Sequence, residues 1–145
     1  VWGVEEEDGV FHIWVVGSNG TIVRNDGLGW TAIPHQAQGE LRAIWGTAPD
    51  DVWVSGSLGT LLHYDGEKFE STPGSGAGYS LNGLWGRAQD DVYAVGTGGT
   101  VLHFDGDDWH LEETGFDGGL NSVWGDPDGT VRAVGTDGAV LIKRP

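Results

Sequence analysis

Four stretches of this chain are copies of one another. Laid together, Leu41–Phe69 (LRAIWGTAPDDVWVSGSLGTLLHYDGEKF) and Leu81–Trp109 (LNGLWGRAQDDVYAVGTGGTVLHFDGDDW) share Trp-Gly, Asp-Asp-Val, Gly-Thr and Asp-Gly at matching places. Trp2, Trp45, Trp85 and Trp124 recur at spacings of 43, 40 and 39, and Gly20, Gly59, Gly99 and Gly138 at 39, 40 and 39. A period near 40 is one at which solenoids and propellers are built, each unit too small to bury its apolar face alone. The copies divide the chain at about 1–37, 38–78, 79–117 and 118–145, within a single domain spanning 1–145.

Within one copy the residues read as four short strands. Leu41–Trp45 is apolar and ends at Gly46, and Thr47 to Asp51 supplies turn residues before Val52–Ser55. Gly56-Ser57-Leu58-Gly59 reverses the chain into Thr60–Tyr64, and Asp65-Gly66 turns it again toward the strand around Phe69. Apolar pairs such as Leu61-Leu62 and Val101-Leu102 replace strict alternation, so both faces of each sheet are covered. The chain is therefore expected to be all-β, a β-propeller of four-stranded antiparallel blades. Four copies fit a four-bladed ring, or half of an eight-bladed ring formed by two chains. The first copy lacks its Leu-x-x lead-in and the fourth lacks the Trp/Phe-bearing tail, which reads as an excised or engineered piece of a longer array.

The aromatics form three rows: Trp2, Trp45, Trp85 and Trp124; Trp14, Trp53 and Tyr93, with Arg132 in the fourth place; and Trp30, Phe69 and Trp109. They are read as packing side chains between blades. Asn19-Gly20-Thr21 has the form of a glycosylation sequon but sits on the recurring hairpin, where turn geometry explains it.

The run VGSNGTIVR followed by DGLGW, residues 16–24 and 26–30, resembles the repeats of Asp-box propellers and of photosystem II assembly factor-like propellers. Copies two and three resemble the Trp-Gly/Asp-Asp-Val-Trp repeats of large secreted or surface proteins of bacteria such as myxobacteria, which implies a secreted or cell-surface location. The Asp-Gly-x-x-Trp/Phe spacing is one residue shorter than an Asp box. Sialidases of that fold also use an arginine cluster, and the seven basic residues here are dispersed.

The formal net charge is −15 and no basic cluster is present, so nucleic acid is not an expected partner. No apolar run reaches membrane length, and membrane insertion is not expected. The absence of cysteine excludes thiol catalysis and thiolate metal sites. No Gly-x-Ser-x-Gly elbow stands between a strand and a helix; Gly74-Ser75-Gly76 falls in the Pro73–Tyr79 connection between copies. Histidines 63 and 103 share a repeat position with Arg24 and Ile142, a packing pattern rather than a metal site.

Two candidate sites follow. Asp105, Asp107 and Asp108, with Asp126 and Asp128, could share a hard cation such as Ca²⁺, against the simpler reading of turn-forming carboxylates. Asp26 with Trp30, Asp65 with Phe69 and Asp105 with Trp109 could bind a carbohydrate repeatedly. The function expected is a non-catalytic structural or protein-interaction scaffold, its partner another protein or a second copy of the chain. The alternative is a lectin-like propeller.

Overall fold

The structure is a computed structural model and describes residues 1–72 and 78–145; of the connection expected at Pro73–Tyr79, residues 73–77 lie outside the described residues. Each copy forms one antiparallel meander. Blade one holds β1 (Trp2–Glu5), β2 (Phe11–Val16), β3 (Ile22–Asn25) and β4 (Trp30–Ala32). Blade two holds β5 (Leu41–Ala48), β6 (Asp51–Gly56), β7 (Leu61–Tyr64) and β8 (Phe69–Ser71). Blade three holds β9 (Leu81–Ala88), β10 (Asp91–Gly96), β11 (Val101–Phe104) and β12 (Trp109–Leu111). Blade four holds β13 (Leu120–Gly125), β14 (Val131–Gly135) and β15 (Val140–Lys143).

The first strand of blade two runs past Gly46 to Ala48, longer than its sequence suggests. A register shift between Gly46 and Ala48 lets pairing resume at Asp51, so the glycine marks a bulge rather than an end.

The hairpin between second and third strands repeats in every blade. Its two central residues both have positive φ: Asn19 and Gly20, Leu58 and Gly59, Gly98 and Gly99, Asp137 and Gly138. The carbonyl three residues back closes the turn, as in Thr60 N–H to Ser57 O at 3.1 Å. This is the type I′ geometry that matches strand twist. Leu58 holds φ 57° with its side chain 79% exposed, so it carries left-handed strain without burial to offset it. Leu58→Asn, the residue of copy one, is expected to stabilise the chain by about 0.5–1 kcal/mol. A urea titration that shows no gain would contradict this.

The core is divided among the three seams between blades. One buried cluster joins Trp14 and Ile22 of blade one to Leu41, Val52, Val54 and Phe69 of blade two. A second joins Trp53 and Leu61 to Leu81, Val92 and Trp109. A third joins Tyr93 and Val95 to Leu120, Val123, Val131 and Ala133.

Two contacts repeat across these seams. The first-row tryptophan lies over the glycine that follows the same tryptophan in the next blade. A Cβ on Gly46 would stand 3.1 Å from Trp2 Cη2, one on Gly86 2.7 Å from Trp45 Cζ3, and one on Gly125 2.6 Å from Trp85 Cζ2. The third-row aromatic then stands on the second-row ring of the preceding blade, edge to face: Phe69 on Trp14 at 5.8 Å and Trp109 on Trp53 at 5.2 Å. β1 packs on β5, β5 on β9 and β9 on β13, whereas among the described residues no comparable packing joins β13 to β1.

Candidate functional site

The third seam differs from the other two in what fills it. In the first, Tyr64 and Phe69 lie against Trp14; in the second, Phe104 and Trp109 lie against Trp53. In the third, Lys143 takes the place of Tyr64 and Phe104. A cavity of about 330 Å³ stands where the sister seams hold Phe69 and Trp109, lined by Tyr93, Val101, Val123, Val131, Ala133 and Leu141, with Glu112, Thr114 and Lys143 at its polar side. Its apolar walls are the repeat equivalents of residues that enclose Phe69 and Trp109.

Charged groups frame the mouth. Lys143 Nζ stands 5.4 Å from the centre of the Tyr93 ring and donates to Glu112. Partial burial disfavours the Lys143 charge, but the hydrogen bond to Glu112 and the further interactions with Tyr93 and Glu112 together outweigh it and hold the pKa above the ordinary lysine value. Burial raises the pKa of Tyr93, so its hydroxyl stays protonated near neutral pH. Behind Tyr93, His103 stacks at 4.3 Å and bonds Asp91 at 2.8 Å, and Asp91 also pairs with Arg87 at 3.1 Å.

β4, β8 and β12 cover β3, β7 and β11 in the first three blades, while β15 has β14 alone as its neighbour among the described residues. In each of those blades a backbone N–H beyond the fourth strand reaches the first residue of the third: Ile33 to Ile22 O, Thr72 to Leu61 O and Glu112 to Val101 O. The equivalent acceptor in blade four is the Val140 carbonyl.

The residues singled out from sequence are placed as follows. Phe69 and Trp109 are 9% exposed inside the seams, and Trp30 is 56% exposed, so the three do not form a repeated open stacking surface. Asp65 Oδ1 accepts from the N–H groups of Glu67 and Lys68, and Asp26 Oδ1 from that of Leu28. Asp105 Oδ1 accepts from Asp108 and Asp107 N–H at 3.0 and 3.1 Å, which lowers its pKa to about 2. Asp107 and Asp108 contribute those backbone donors.

Asp126 pairs with Arg132, and Asp128 accepts from Thr130 N–H at 2.9 Å. The Asp105 turn lies in blade three and the Asp126–Asp128 turn in blade four. Among the described residues no three carboxylates or histidines gather in metal-holding geometry.

The histidines at the shared repeat position do more than pack. His63 stacks on Trp53 at 4.2 Å and bonds Asp51 at 2.6 Å, as His103 does with Tyr93 and Asp91. In blade one, Arg24 takes the same place over Trp14 at 5.1 Å. Asp51, read from sequence as a turn residue, and its repeat equivalent Asp91 are thus cross-hairpin partners twelve residues from their histidines. Burial raises the Asp51 pKa, but the hydrogen bonds with His63 and Thr47 and the attraction of His63 together bring it below the ordinary carboxylate value.

Among the described residues no helix is long and apolar enough to cross a membrane. No protein-family model and no curated protein matches the chain. Solved structures similar to it include YCF48 from Cyanidioschyzon merolae, with TM-score 0.73, 16% identity, and coverage of 100% of this chain and 50% of that one. YCF48 bound to D1 peptide has TM-score 0.66 and 17% identity over 92% of this chain and 47% of the other. The extracellular domain of BT4673, a one-component system of B. thetaiotaomicron, has TM-score 0.66 and 16% identity over 99% of this chain and 21% of its own. The chain thus spans about half the length of the YCF48 structures or less of the others, and the likeness establishes the propeller fold.

Proposed function

We propose that the chain is a non-catalytic interaction module whose third seam accepts an extended segment of a protein partner. The segment adds alongside β15 and places an aromatic side chain in the cavity beside Tyr93. Strand addition draws affinity from main-chain hydrogen bonds and specificity from side-chain pockets. The observation that carries this reading is the cavity itself, which stands where two sister seams hold Phe69 and Trp109. YCF48 bound to D1 peptide, among the similar structures, supports a protein partner, and the extracellular domain among them supports a site of action outside the cell.

The test uses a fluorescent peptide with the sequence of segment 65–71, Asp-Gly-Glu-Lys-Phe-Glu-Ser. Saturable binding by polarisation is expected, weakened about tenfold or more when the peptide phenylalanine becomes alanine, since tenfold is about 1.4 kcal/mol. Ala133→Leu in the protein, which fills the cavity from β14, is expected to weaken binding while the melting temperature holds or rises. No saturable binding by a folded chain, or equal binding of the alanine peptide, would overturn the proposal.

A further inference from the structure

Blade three carries a chain of alternating charges that ends on blade four. His103 on β11 stacks on Tyr93 at 4.3 Å, and its Nε2 stands 2.8 Å from Asp91 Oδ1, while Arg87 pairs with the other oxygen of Asp91 at 3.1 Å. The second ring nitrogen, Nδ1, faces Glu112 Oε1 at 3.7 Å, and that oxygen is held by Lys143 of blade four. One imidazole thus lies between two carboxylates, and the second of these is shared with a lysine from the neighbouring blade. In blade two, His63 makes the same stack and the same bond to Asp51, but Glu70, opposite it across the sheet, pairs with Lys68. In blade one the place belongs to Arg24, whose guanidinium keeps its charge at any ordinary pH.

The Asp91 carboxylate is an acceptor, so it fixes a proton on Nε2, and neutral His103 presents a bare lone pair at Nδ1. A lone pair and a carboxylate oxygen repel, and the two stand 3.7 Å apart, beyond hydrogen-bond reach. Protonation turns Nδ1 into a donor, and the same two atoms then attract as a charge-assisted pair. Histidine is the side chain whose ordinary titration falls between pH 5 and 8. Of the other charged groups near the ring, Arg87 and Lys143 are cations throughout that range, Lys143 with a pKa above the ordinary lysine value. Glu113 lines the cavity beside Glu112. His110, opposite His103 on β12, is a second histidine, bonded through Nε2 to Asp105 at 2.9 Å.

We propose that His103 is a pH-operated latch on the third seam: when its ring gains a proton, Glu112 turns from Lys143 to His103, and Lys143 leaves the mouth of the cavity. With His103 neutral, Lys143 Nζ lies over the Tyr93 ring, 5.4 Å from its centre. Acid therefore uncovers the ring face beside which a bound segment places its aromatic side chain. That consequence rests on the peptide reading above; the movement of Lys143 does not.

Nuclear magnetic resonance on the labelled 145-residue chain between about pH 8 and pH 5 tests the latch. Because Lys143 stands over Tyr93, its methylene signals carry a ring-current shift, and release moves them toward the values of a free lysine. They are expected to move with the same midpoint as the His103 ring signals. Glu112→Gln leaves the His103 stack and its bond to Asp91 in place, so the ring should still titrate while Lys143 no longer follows it. In His110→Gln, Lys143 should follow as before. Lys143 signals that ignore pH in the native chain, or that move equally in Glu112→Gln, would overturn the latch.

Peptide binding supplies a separate readout. The labelled 65–71 peptide has no histidine, and it should bind about fivefold or more tightly at about pH 5.5 than at about pH 7.5, the lower end of ordinary coupling between sites. The gain should vanish in Glu112→Gln and persist in His110→Gln. Equal binding at both pH values would overturn acid control of the site, whereas no binding at either would strike the peptide reading and leave the latch to the Lys143 signals.

Discussion

Trp53→Ala is expected to cost about 3–5 kcal/mol. Trp53 is 2% exposed at the middle of the second seam. It stacks on His63 at 4.2 Å, meets Trp109 edge to face at 5.2 Å and packs on Phe104 at 5.0 Å. The strands around it are held by ladder pairing of Trp53 with both Trp45 and His63, so the cavity left behind cannot collapse. A loss of that size is a large share of the roughly 5–15 kcal/mol typical of a folded domain. It corresponds to a fall in melting temperature on the order of 10 °C for a chain of this length. Trp30→Ala makes the same chemical change at a 56% exposed ring and should cost the single chain less than about 1 kcal/mol. Urea unfolding of both variants decides the matter, because equal losses would mean that the seams do not carry the core.

Gly86→Ala should cost about 3 kcal/mol although it adds one methyl group. The added carbon would lie 2.7 and 2.8 Å from Cζ3 and Cζ2 of Trp45, well inside contact distance. An indole has no flexible end to withdraw, and Trp45 is fixed beside Trp53 by cross-strand pairing. Gly86 does not have a positive φ, so backbone strain adds nothing to the effect. The clash therefore predicts a specific non-additivity. On a Trp45→Ala background the methyl enters vacated space, and Gly86→Ala should be close to neutral, with a coupling in the upper part of the range of roughly 0.5–3 kcal/mol seen for touching residues. If the methyl costs the same in both backgrounds, the ring over the glycine is not what excludes it.

Much of the fold was legible because its signals are local. The Asp-Gly and x-Gly-Thr turns, the short apolar strands and the 40-residue period each depend on neighbours within one copy, and the strands lie where the residues place them except that β5 continues past Gly46 to Ala48. The third-row aromatics were legible as packing residues, and Phe69 and Trp109 are buried as that reading requires. Other features left no trace. Nothing within one copy reveals that Asp51 reaches His63, because the pairing spans a hairpin whose register had first to be known.

The sequence by itself determined that four equivalent units form, since hydrogen-bonded turns and strand patterns are properties of adjacent residues. Only the tertiary structure decided how equivalent residues diverge. Trp45 and Trp124 occupy the same repeat position, yet one covers Gly86 and the other is 38% exposed; Trp109 is buried against Trp53 while Trp30 faces outward. The physical reason is that these side chains bury area against another blade, about forty residues away. Their environment is set by which blade stands next to them rather than by the residues that flank them.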